Sequence, residues 1–454
     1  AHRDKAHRDS AHCETGEHFT RRPSADPAPA ARNPDILFIV ASTRSPMNIA
    51  RPALAVAAIA AAALALSGCV AKADVAAGPI AVTSTDDSCE VSASTARSGT
   101  LAFDVKNAGS QVSEFYLLAN DGLRIVGEVE NIAPGASRSL TVVAQPGDYF
   151  TICKPGMIGA GIGKASFTIS GETVAIDGPD AEQKQQAVDL YAAFVKEQVS
   201  QLVPAVQGLV DAYESGDDAG ARAAFPQVRA FYERIEPVAE ALGDLDPRID
   251  FREVDAVADG IDWTGFHRIE KDLWVPAADA LNADAETPAW QGWAPSTSEE
   301  RAAFGAQLLA DVQELYDYVH SAAFQEALDA QGVAGLSNGA IALLDEVATG
   351  KISGEEDWWS GTDLWDFAAN VEGSKMAFSL VRDFAASKGS NGAALVGEID
   401  AGYTALEESL AEHGSLTSGF LNYRELTDAD KRELTDLINA LAEPLSKLTV
   451  TVLE

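Results

Sequence analysis

The chain has 454 residues and a formal net charge of −36, because 69 Asp and Glu residues outnumber 33 Lys and Arg residues. A negative excess on this scale repels nucleic acid and anionic lipid, and it suits a protein that meets cations or basic partners. We therefore expect no nucleic-acid partner. The length is enough for two or three domains, each with its own core.

Residues 1–46 lack the pattern of a folded domain. The tetrapeptide Ala-His-Arg-Asp occurs at positions 1–4 and again at 6–9, and the segment contains no Met. Its histidines could bind metal in principle, but an upstream extension of the reading frame explains a polar repeat more simply. We predict that this leader is non-native or disordered and that translation starts at Met47.

The segment 47–68 has the features of a lipoprotein signal peptide. A charged start is followed by a short apolar core and by Ser-Gly immediately before Cys69. This order suits cleavage ahead of the cysteine and attachment of lipid to its thiol, whereas a retained transmembrane helix would be longer. We expect a mature protein that begins at Cys69 with a linker over 69–78. Its lipid anchor would hold it on the outer face of the cytoplasmic membrane.

Residues 79–171 are predicted to form a β-sandwich. Leu101, Phe103 and Val105 alternate with other residues, as on a strand with one buried face. Short strands separated by regular turn signals are typical of a sandwich. The turn signals lie at 107–109, 120–122, 133–135 and 145–147.

Residues 178–454 are predicted to form an all-α bundle, because the apolar residues change to helical spacing after a boundary near 172–180. Thr297 and Glu300 have the spacing of a capping box, which supports one helix start. The predicted helices are 180–215, 217–242, 298–330, 337–349, 362–388, 391–413 and 427–448.

A His-x-x-Glu spacing occurs at His267 and Glu270. Residues three apart lie on one face of a helix, so an imidazole and a carboxylate would converge there. The pair suits a borderline metal such as iron or zinc if other helices add oxygen ligands. Alone the spacing is weak evidence, because such pairs also occur on solvated helix surfaces. After the leader the remaining histidines are His320 and His413.

Acidic residues lie next to aromatic ones in two further segments, 232–237 and 351–367. Burying a charge is costly without a cation or hydrogen bonds, so such clusters are often functional or tightly paired. The candidate ligands in these segments are Glu233, Glu236, Glu356, Asp357 and Asp363. The alternative is an ordinary set of helix caps and salt bridges to Lys351 or Arg234.

The segment 147–153, Gly-Asp-Tyr-Phe-Thr-Ile-Cys, resembles the last ligand loop of a blue-copper domain. Such a site needs two histidines beside the thiolate, and residues 79–171 contain none. Cys89, Glu114 and Cys153 could instead form a mixed sulfur and oxygen site. A disulfide between the two cysteines is the alternative, since an exported chain can form one.

Catalytic motifs offer little support for an enzyme. The chain has no HExxH zinc motif, and neither domain combines a Cys with a His. A lone His-x-x-Glu pair supplies too few nitrogen ligands for the usual zinc protease, although an Asp or Glu could substitute. A metallopeptidase therefore stays open as an alternative, as does a cell-surface module that binds polysaccharide with a structural metal.

Together these segments resemble the EfeO family, the exported component of an elemental iron uptake system. The resemblance implies a cupredoxin-like domain over 79–171 and an imelysin-type, peptidase-like helical domain over 178–454. It is carried by 87–90 (Asp-Ser-Cys-Glu), 131–135 (Asn-Ile-Ala-Pro-Gly), 145–149 (Gln-Pro-Gly-Asp-Tyr), 232–237 (Tyr-Glu-Arg-Ile-Glu-Pro), 265–270 (Gly-Phe-His-Arg-Ile-Glu), 351–357, 362–367 and 370–374.

The resemblance implies a protein that captures ferrous or ferric iron and delivers it to a membrane iron permease, helped by an exported haem peroxidase. Copper or zinc is the alternative metal. By resemblance His267 and Glu270 are metal ligands, with Glu233 and the cluster 355–357 as contributors. The family's thiol and carboxylate positions in the β-domain fall on the two cysteines and the glutamate already named.

This chain departs from the family pattern at two positions. Tyr116 stands where relatives have a Glu, and Gly361 stands where they have a His. The resemblance therefore implies a weakened metal site in the β-domain and a changed ligand set near Asp363.

Overall fold

The computed structural model describes residues 78–349 and 351–454. The predicted leader, the signal peptide and the Cys69 anchor lie outside these residues, as does the predicted linker except for residue 78. Within the described ranges, no helix combines the length and the apolar character that a membrane span requires.

The first domain is a sandwich of two sheets, which confirms the predicted fold class. One sheet has the strand order β2-β1-β4-β7, and the other has the order β3-β9-β8-β5-β6. The strands are β1 Ile80–Ser84, β2 Cys89–Val91, β3 Thr95–Arg97, β4 Gly99–Asn107, β5 Ser113–Leu118, β6 Ile125–Ile132, β7 Ser137–Ala144, β8 Gly147–Pro155 and β9 Ile162–Ser170.

The core of the sandwich follows from the alternation of apolar residues along β4. Leu101, Phe103 and Val105 are buried, while the residues between them are more exposed. The ring centroid of Phe103 lies 5.2 Å from that of Phe115 and 5.7 Å from that of Phe167. These two partners belong to the other sheet, so aromatic packing joins the sheets.

The second domain is helical, as predicted. Helix α1 packs against α2, α7 and α8, and α9 packs against α8, α10 and α2. Two 3₁₀ turns and a short hairpin complete this half of the described chain. The helices are α1 Ala181–Ser215, α2 Asp218–Glu233, α3 Glu236–Glu240, α4 Leu245–Ile249, α5 Glu253–Asp259, α6 Gly265–Leu273, α7 Ser298–Val319, α8 Ala322–Thr349, α9 Asp363–Ala386, α10 Gly389–Ala411, α11 Asp428–Leu445 and α12 Leu448–Leu453, with 3₁₀ turns at Lys351–Ser353 and Tyr423–Glu425 and hairpin strands β10 Gly414–Ser415 and β11 Gly419–Phe420.

Two predictions about helix α7 had different outcomes. The capping box is confirmed, because the Thr297 hydroxyl accepts from the N–H of Glu300 and the Glu300 carboxylate accepts from the N–H of Thr297. The predicted continuous helix over 298–330 is wrong, since α7 ends and α8 begins within that range. Ser321 lies between them, and its hydroxyl bonds to both helix ends: it donates to the carbonyl of Tyr318 at 2.7 Å and accepts from the N–H of Phe324 at 3.4 Å.

The two domains pack against each other through α8, which contacts β6 and β7. An ion pair joins Nη2 of Arg138 to Oδ2 of Asp345 at 3.0 Å. Nδ2 of Asn338 donates to the carbonyl of Thr141 at 2.9 Å. The segment 351–362 leads to α9, and its acidic residues Glu356 and Asp357 lie close to α6.

Candidate metal centre

Helix α6 positions the His-x-x-Glu pair. Gly265 begins the helix with a φ of 81°, and a side chain there would overlap the carbonyl group of Ile249, so the position requires glycine. One helical turn brings Nδ1 of His267 within 3.0 Å of Oε2 of Glu270. The imidazole and the carboxylate therefore converge, and both are fully buried.

The loop between α8 and α9 adds two carboxylates. Oε1 of Glu356 lies 3.2 Å from Nε2 of His267, and Oδ1 of Asp357 lies 3.8 Å from Nδ1 of the same ring. Oε1 of Glu270 accepts hydrogen bonds of 3.0 and 2.7 Å from the backbone N–H groups of residues 359–360. Glu270 therefore faces the imidazole and also holds the loop against α6.

Asp250, which follows α4, completes the arrangement. Its Oδ1 lies 3.5 Å from Nε2 of His267. Among the described residues, two groups of three buried side chains could each hold a metal ion, with potential ligand atoms within 4.8 Å of one another. One group is Asp250, His267 and Glu356, and the other is His267, Glu270 and Asp357. Imidazole nitrogen combined with carboxylate oxygen is a ligand set that suits iron and zinc.

Several carboxylate oxygens around these groups accept no hydrogen bond from any described residue. They are Oδ2 of Asp250, Oδ1 of Asp357, Oδ2 of Asp363 and both oxygens of Asp366. Each of these residues is at most 6% exposed. Because a buried carboxylate oxygen without a donor is destabilising, the oxygens of Asp250 and Asp357, which belong to the two groups, fit a site that receives a cation.

The charges around His267 raise its pKa. Burial and the nearby cation of Arg229 lower the pKa of His267, but hydrogen bonds to Glu270 and Glu356 and the charge of Asp250 outweigh them and raise it to about 10. Burial raises the pKa of Asp250 to about 7, although Arg229 and His267 oppose the shift. Burial and the charge of Asp357 likewise raise the pKa of Glu270.

Three predicted ligands lie beside the two groups. Glu233 forms an ion pair with Arg229, and its Oε2 lies 3.4 Å from Nζ of Lys351. Both oxygens of Glu236 lie 3.1 Å from the same ammonium. Oδ1 of Asp363 accepts a 3.1 Å hydrogen bond from the backbone of the loop. The structure therefore places Glu233 and Glu236 in a salt-bridge network with Lys351, and Asp363 at the start of α9.

Cys89 and Cys153 form a disulfide that joins β2 to β8 and therefore links the two sheets. The alternative prediction of a mixed sulfur and oxygen site is corrected here, because disulfide sulfurs have no thiolate charge with which to bind a metal. Glu114 also lies elsewhere. Strand β5 pairs it with Lys154, the neighbour of Cys153, so its side chain lies on the opposite face of the sheet and accepts a hydrogen bond from Tyr116.

Sequence reasoning missed three residues of the centre. Arg229 lies one helical turn before Glu233 on α2, and this spacing is the signal that could have found it. Asp366 lies inside the acidic and aromatic run 362–367, and the pattern of that run does not distinguish it from its neighbour Asp363. Asp250 sits between two short helices, and no local pattern distinguishes it from other acidic residues of the chain.

The chain matches two domain families. Residues 187–448 match the imelysin family, and residues 55–162 match the cupredoxin-like domain. Relatives named iron uptake system component EfeO match over 377 residues, which cover 81% of this chain and 90% of each relative. The identity is 37% for the protein of Escherichia coli O1:K1 and 36% for those of Escherichia coli K12 and Shigella flexneri.

A solved structure shares less with this chain. A protein described as an iron-regulated protein A precursor, from Parabacteroides distasonis, is 16% identical with a TM-score of 0.40 and covers 61% of this chain and 96% of its own. The EfeO proteins, by contrast, match along most of their length and confirm the predicted resemblance. The chain therefore belongs to the EfeO family and joins a cupredoxin-like domain to an imelysin domain.

Proposed function

We propose that this protein is the exported metal-binding component of an iron uptake system, which captures iron at the candidate metal centre and delivers it to a membrane permease. The observation that carries the proposal is buried His267, with a carboxylate facing each of its ring nitrogens. The relatives are named as components of an iron uptake system, which supports transport as the purpose of binding.

The ligand set supports iron as the cargo. Asp250, Glu270, Glu356 and Asp357 offer carboxylate oxygens around a single imidazole. Hard oxygen ligands with one nitrogen suit ferrous or ferric iron, whereas copper and zinc favour more nitrogen or sulfur. Burial strengthens the attraction between a cation and several carboxylates, because solvent screens the charges less. Zinc and copper are the competing ions against which iron binding is compared.

The location and the partners complete the proposal. Lipid on Cys69 would tether the protein to the outer face of the cytoplasmic membrane. A tethered protein stays close to a membrane permease, so captured iron has a short distance to travel. An exported haem peroxidase is a further proposed partner, which would act on iron before transfer.

Burial of the centre disfavours a peptidase. His267 is 1% exposed, and an extended peptide would need open access to the metal ion. A Gly-x-Ser-x-Gly sequence at 335–339 is not a hydrolase nucleophile either. Ser337 lies inside α8, is fully buried and donates to the carbonyl of Val333 at 2.9 Å.

The test is metal binding by the chain from residue 78 onward. We expect the parent to bind ferrous or ferric iron and His267→Ala to bind it at least about 100-fold more weakly. Mutating a residue that only hydrogen-bonds to a metal ligand already lowers metal affinity by about 10- to 100-fold, and His267 is a proposed ligand itself. Competition with a coloured chelator measures the dissociation constant. Zinc and copper titrations on the same sample establish the preference.

His320→Ala is the matched control. His320 is exposed, stacks on Tyr316 with ring centroids 4.1 Å apart, and lies in neither metal group. This variant should bind iron as the parent does. If His267→Ala binds iron as tightly as the parent does, the proposed site is wrong.

A further inference from the structure

Arg229 is the only fully buried guanidinium among the described residues, and it lies inside the acidic centre. It forms ion pairs with Glu233 and Asp250. Its Nη2 lies 3.4 Å from Oε1 of Glu356. Its Nε lies 3.4 Å from Oδ1 of Asp357 and 3.3 Å from Oδ1 of Asp366, yet this N–H donates no hydrogen bond to a described residue.

The guanidinium contacts the same oxygen atoms that face His267. Oδ1 of Asp250 pairs with Nη1 of Arg229 and lies 3.5 Å from the imidazole. Oε1 of Glu356 lies 3.4 Å from Arg229 and 3.2 Å from the imidazole. Oδ1 of Asp357 lies 3.4 Å from Arg229 and 3.8 Å from the imidazole. A metal ion in the first group would therefore share both of its carboxylate ligands with a permanent cation, and an ion in the second group would share Asp357.

An arginine cannot relieve this competition by losing its proton, because its pKa is too high for deprotonation in a protein. The guanidinium must move away or remain close to the incoming ion. Both responses weaken metal binding, the first by breaking buried ion pairs and the second by repulsion between like charges.

We infer that Arg229 is a resident counter-cation, which neutralises the acidic centre before iron arrives and limits the affinity for iron so that the ion can be released. This inference rests on the proposed function and adds to it a residue that sets the strength of binding. A protein that hands its cargo to another must bind it reversibly, and a built-in competitor achieves this without opening the fold.

A structural role for Arg229 makes the opposite prediction. If the guanidinium only holds the carboxylates in place, its removal lets them move out of position and weakens iron binding. If it competes, removal strengthens binding in any variant that stays folded. The sign of the change in affinity therefore decides between the two roles.

The main variant combines Arg229→Met with Asp366→Asn. Removing the guanidinium alone leaves buried carboxylates without a counter-charge and endangers folding. Asp366 lies next to Arg229 but in neither metal group, so Asp366→Asn removes one buried carboxyl group beside the lost guanidinium and leaves every residue of the two metal groups unchanged. Circular dichroism and the melting temperature establish that the variant is folded.

Lys351→Met is the matched control. Lys351 is also a buried cation among carboxylates, with Nζ 3.1 Å from Glu236, 3.4 Å from Glu233 and 3.6 Å from Glu346. None of these three belongs to a metal group. Its loss tests whether removal of any buried positive charge changes the affinity for iron.

The experiment measures binding and release of ferrous iron under anaerobic conditions for the parent, Arg229→Met, the double variant and Lys351→Met. We expect the double variant to bind at least about tenfold more tightly and to release iron more slowly, with a smaller change in Lys351→Met. The melting temperature of Arg229→Met should rise more on iron addition than that of the parent.

The outcomes separate the two proposals. A folded double variant that binds iron as weakly as the parent, or more weakly, overturns the role of Arg229 and leaves the proposed function intact. An equal gain in Lys351→Met also overturns it, because the effect would then be general. A parent that binds no iron contradicts the proposed function and, with it, this inference.

Discussion

His267 serves the centre through both ring nitrogens, one toward Glu270 and the other toward Glu356. With a pKa raised to about 10, the ring is protonated near neutral pH when no metal is bound, and both N–H groups donate to carboxylates. This charge stabilises the fold below the unfolded pKa of 6.5, and the contribution disappears as pH rises through about 10. A metal ion must therefore displace a proton.

The first prediction concerns the protons released on iron binding. At about pH 8, binding of one ion should release about one proton, from His267. At about pH 6 the release should approach two for an ion held by Asp250, His267 and Glu356, because Asp250, with a pKa of about 7, is then protonated as well. Affinity should rise by about tenfold per pH unit where one proton is released. Calorimetry in buffers of different ionisation enthalpy measures the number.

Asp250→Asn supplies the comparison for this experiment. It removes the second titrating group, so the release should stay near one proton at both pH values. A parent protein whose iron binding releases no proton at either pH would contradict His267 as a ligand.

At the scale of the elements, the centre depends on how α6 approaches its neighbours. Gly265 lets the helix start directly beneath the carbonyl of Ile249, with a φ of 81° that other residues rarely adopt. The hydroxyl of Thr264 donates to the carbonyl of Arg248 at 2.8 Å and holds the same approach. The position of one backbone turn therefore sets where His267 meets the loop carboxylates.

The second prediction compares two glycines that differ in their surroundings. Gly265→Ala should lower the free energy of unfolding by about 2 to 3 kcal/mol and weaken iron binding, because the new Cβ displaces α6. Gly260→Ala, at a φ of 68° in open space, should cost about 1 kcal/mol and leave iron binding unchanged. Urea denaturation and iron titration measure both effects. Equal losses in the two variants would rule out the steric role of Gly265.

At the scale of the whole molecule, the sandwich borders the candidate metal centre. A cavity of about 340 Å³ lies between the domains. Glu114 and Lys154 line it from the sandwich, while Asp250 and Glu356 line it from the bundle. The disulfide serves a different purpose, because it links the two sheets within the sandwich core. The metal centre and the disulfide should therefore be separable by mutation.

The third prediction removes the disulfide with Cys89→Ala and Cys153→Ala together. The two residues are 64 positions apart, so loss of the crosslink should lower the free energy of unfolding by about 4 kcal/mol. The affinity for iron and the number of ions bound should not change, since the proposed ligands lie in the bundle. Loss of a bound ion from this variant would instead restore sulfur ligation as a hypothesis.

Local patterns accounted for the fold class. The buried side of a strand or helix is visible in the spacing of nearby apolar residues. The alternation at Leu101, Phe103 and Val105 shows it for the strands, and the helical spacing after residue 180 shows it for the helices. The pattern does not predict the break between α7 and α8, because Ser321, whose hydroxyl bonds to both helix ends, lies within an otherwise helical pattern.

For the centre, the sequence by itself determined the convergence of His267 and Glu270, because residues three apart on a helix must share a face. Only the tertiary structure decided that Asp250 lies beside them and that Glu233 pairs with the cations of Arg229 and Lys351. It also decided that Arg229 lies among the proposed ligands. These contacts join elements far apart in the chain. Their geometry depends on how helices and loops cross in the packed bundle, and no local spacing encodes that crossing.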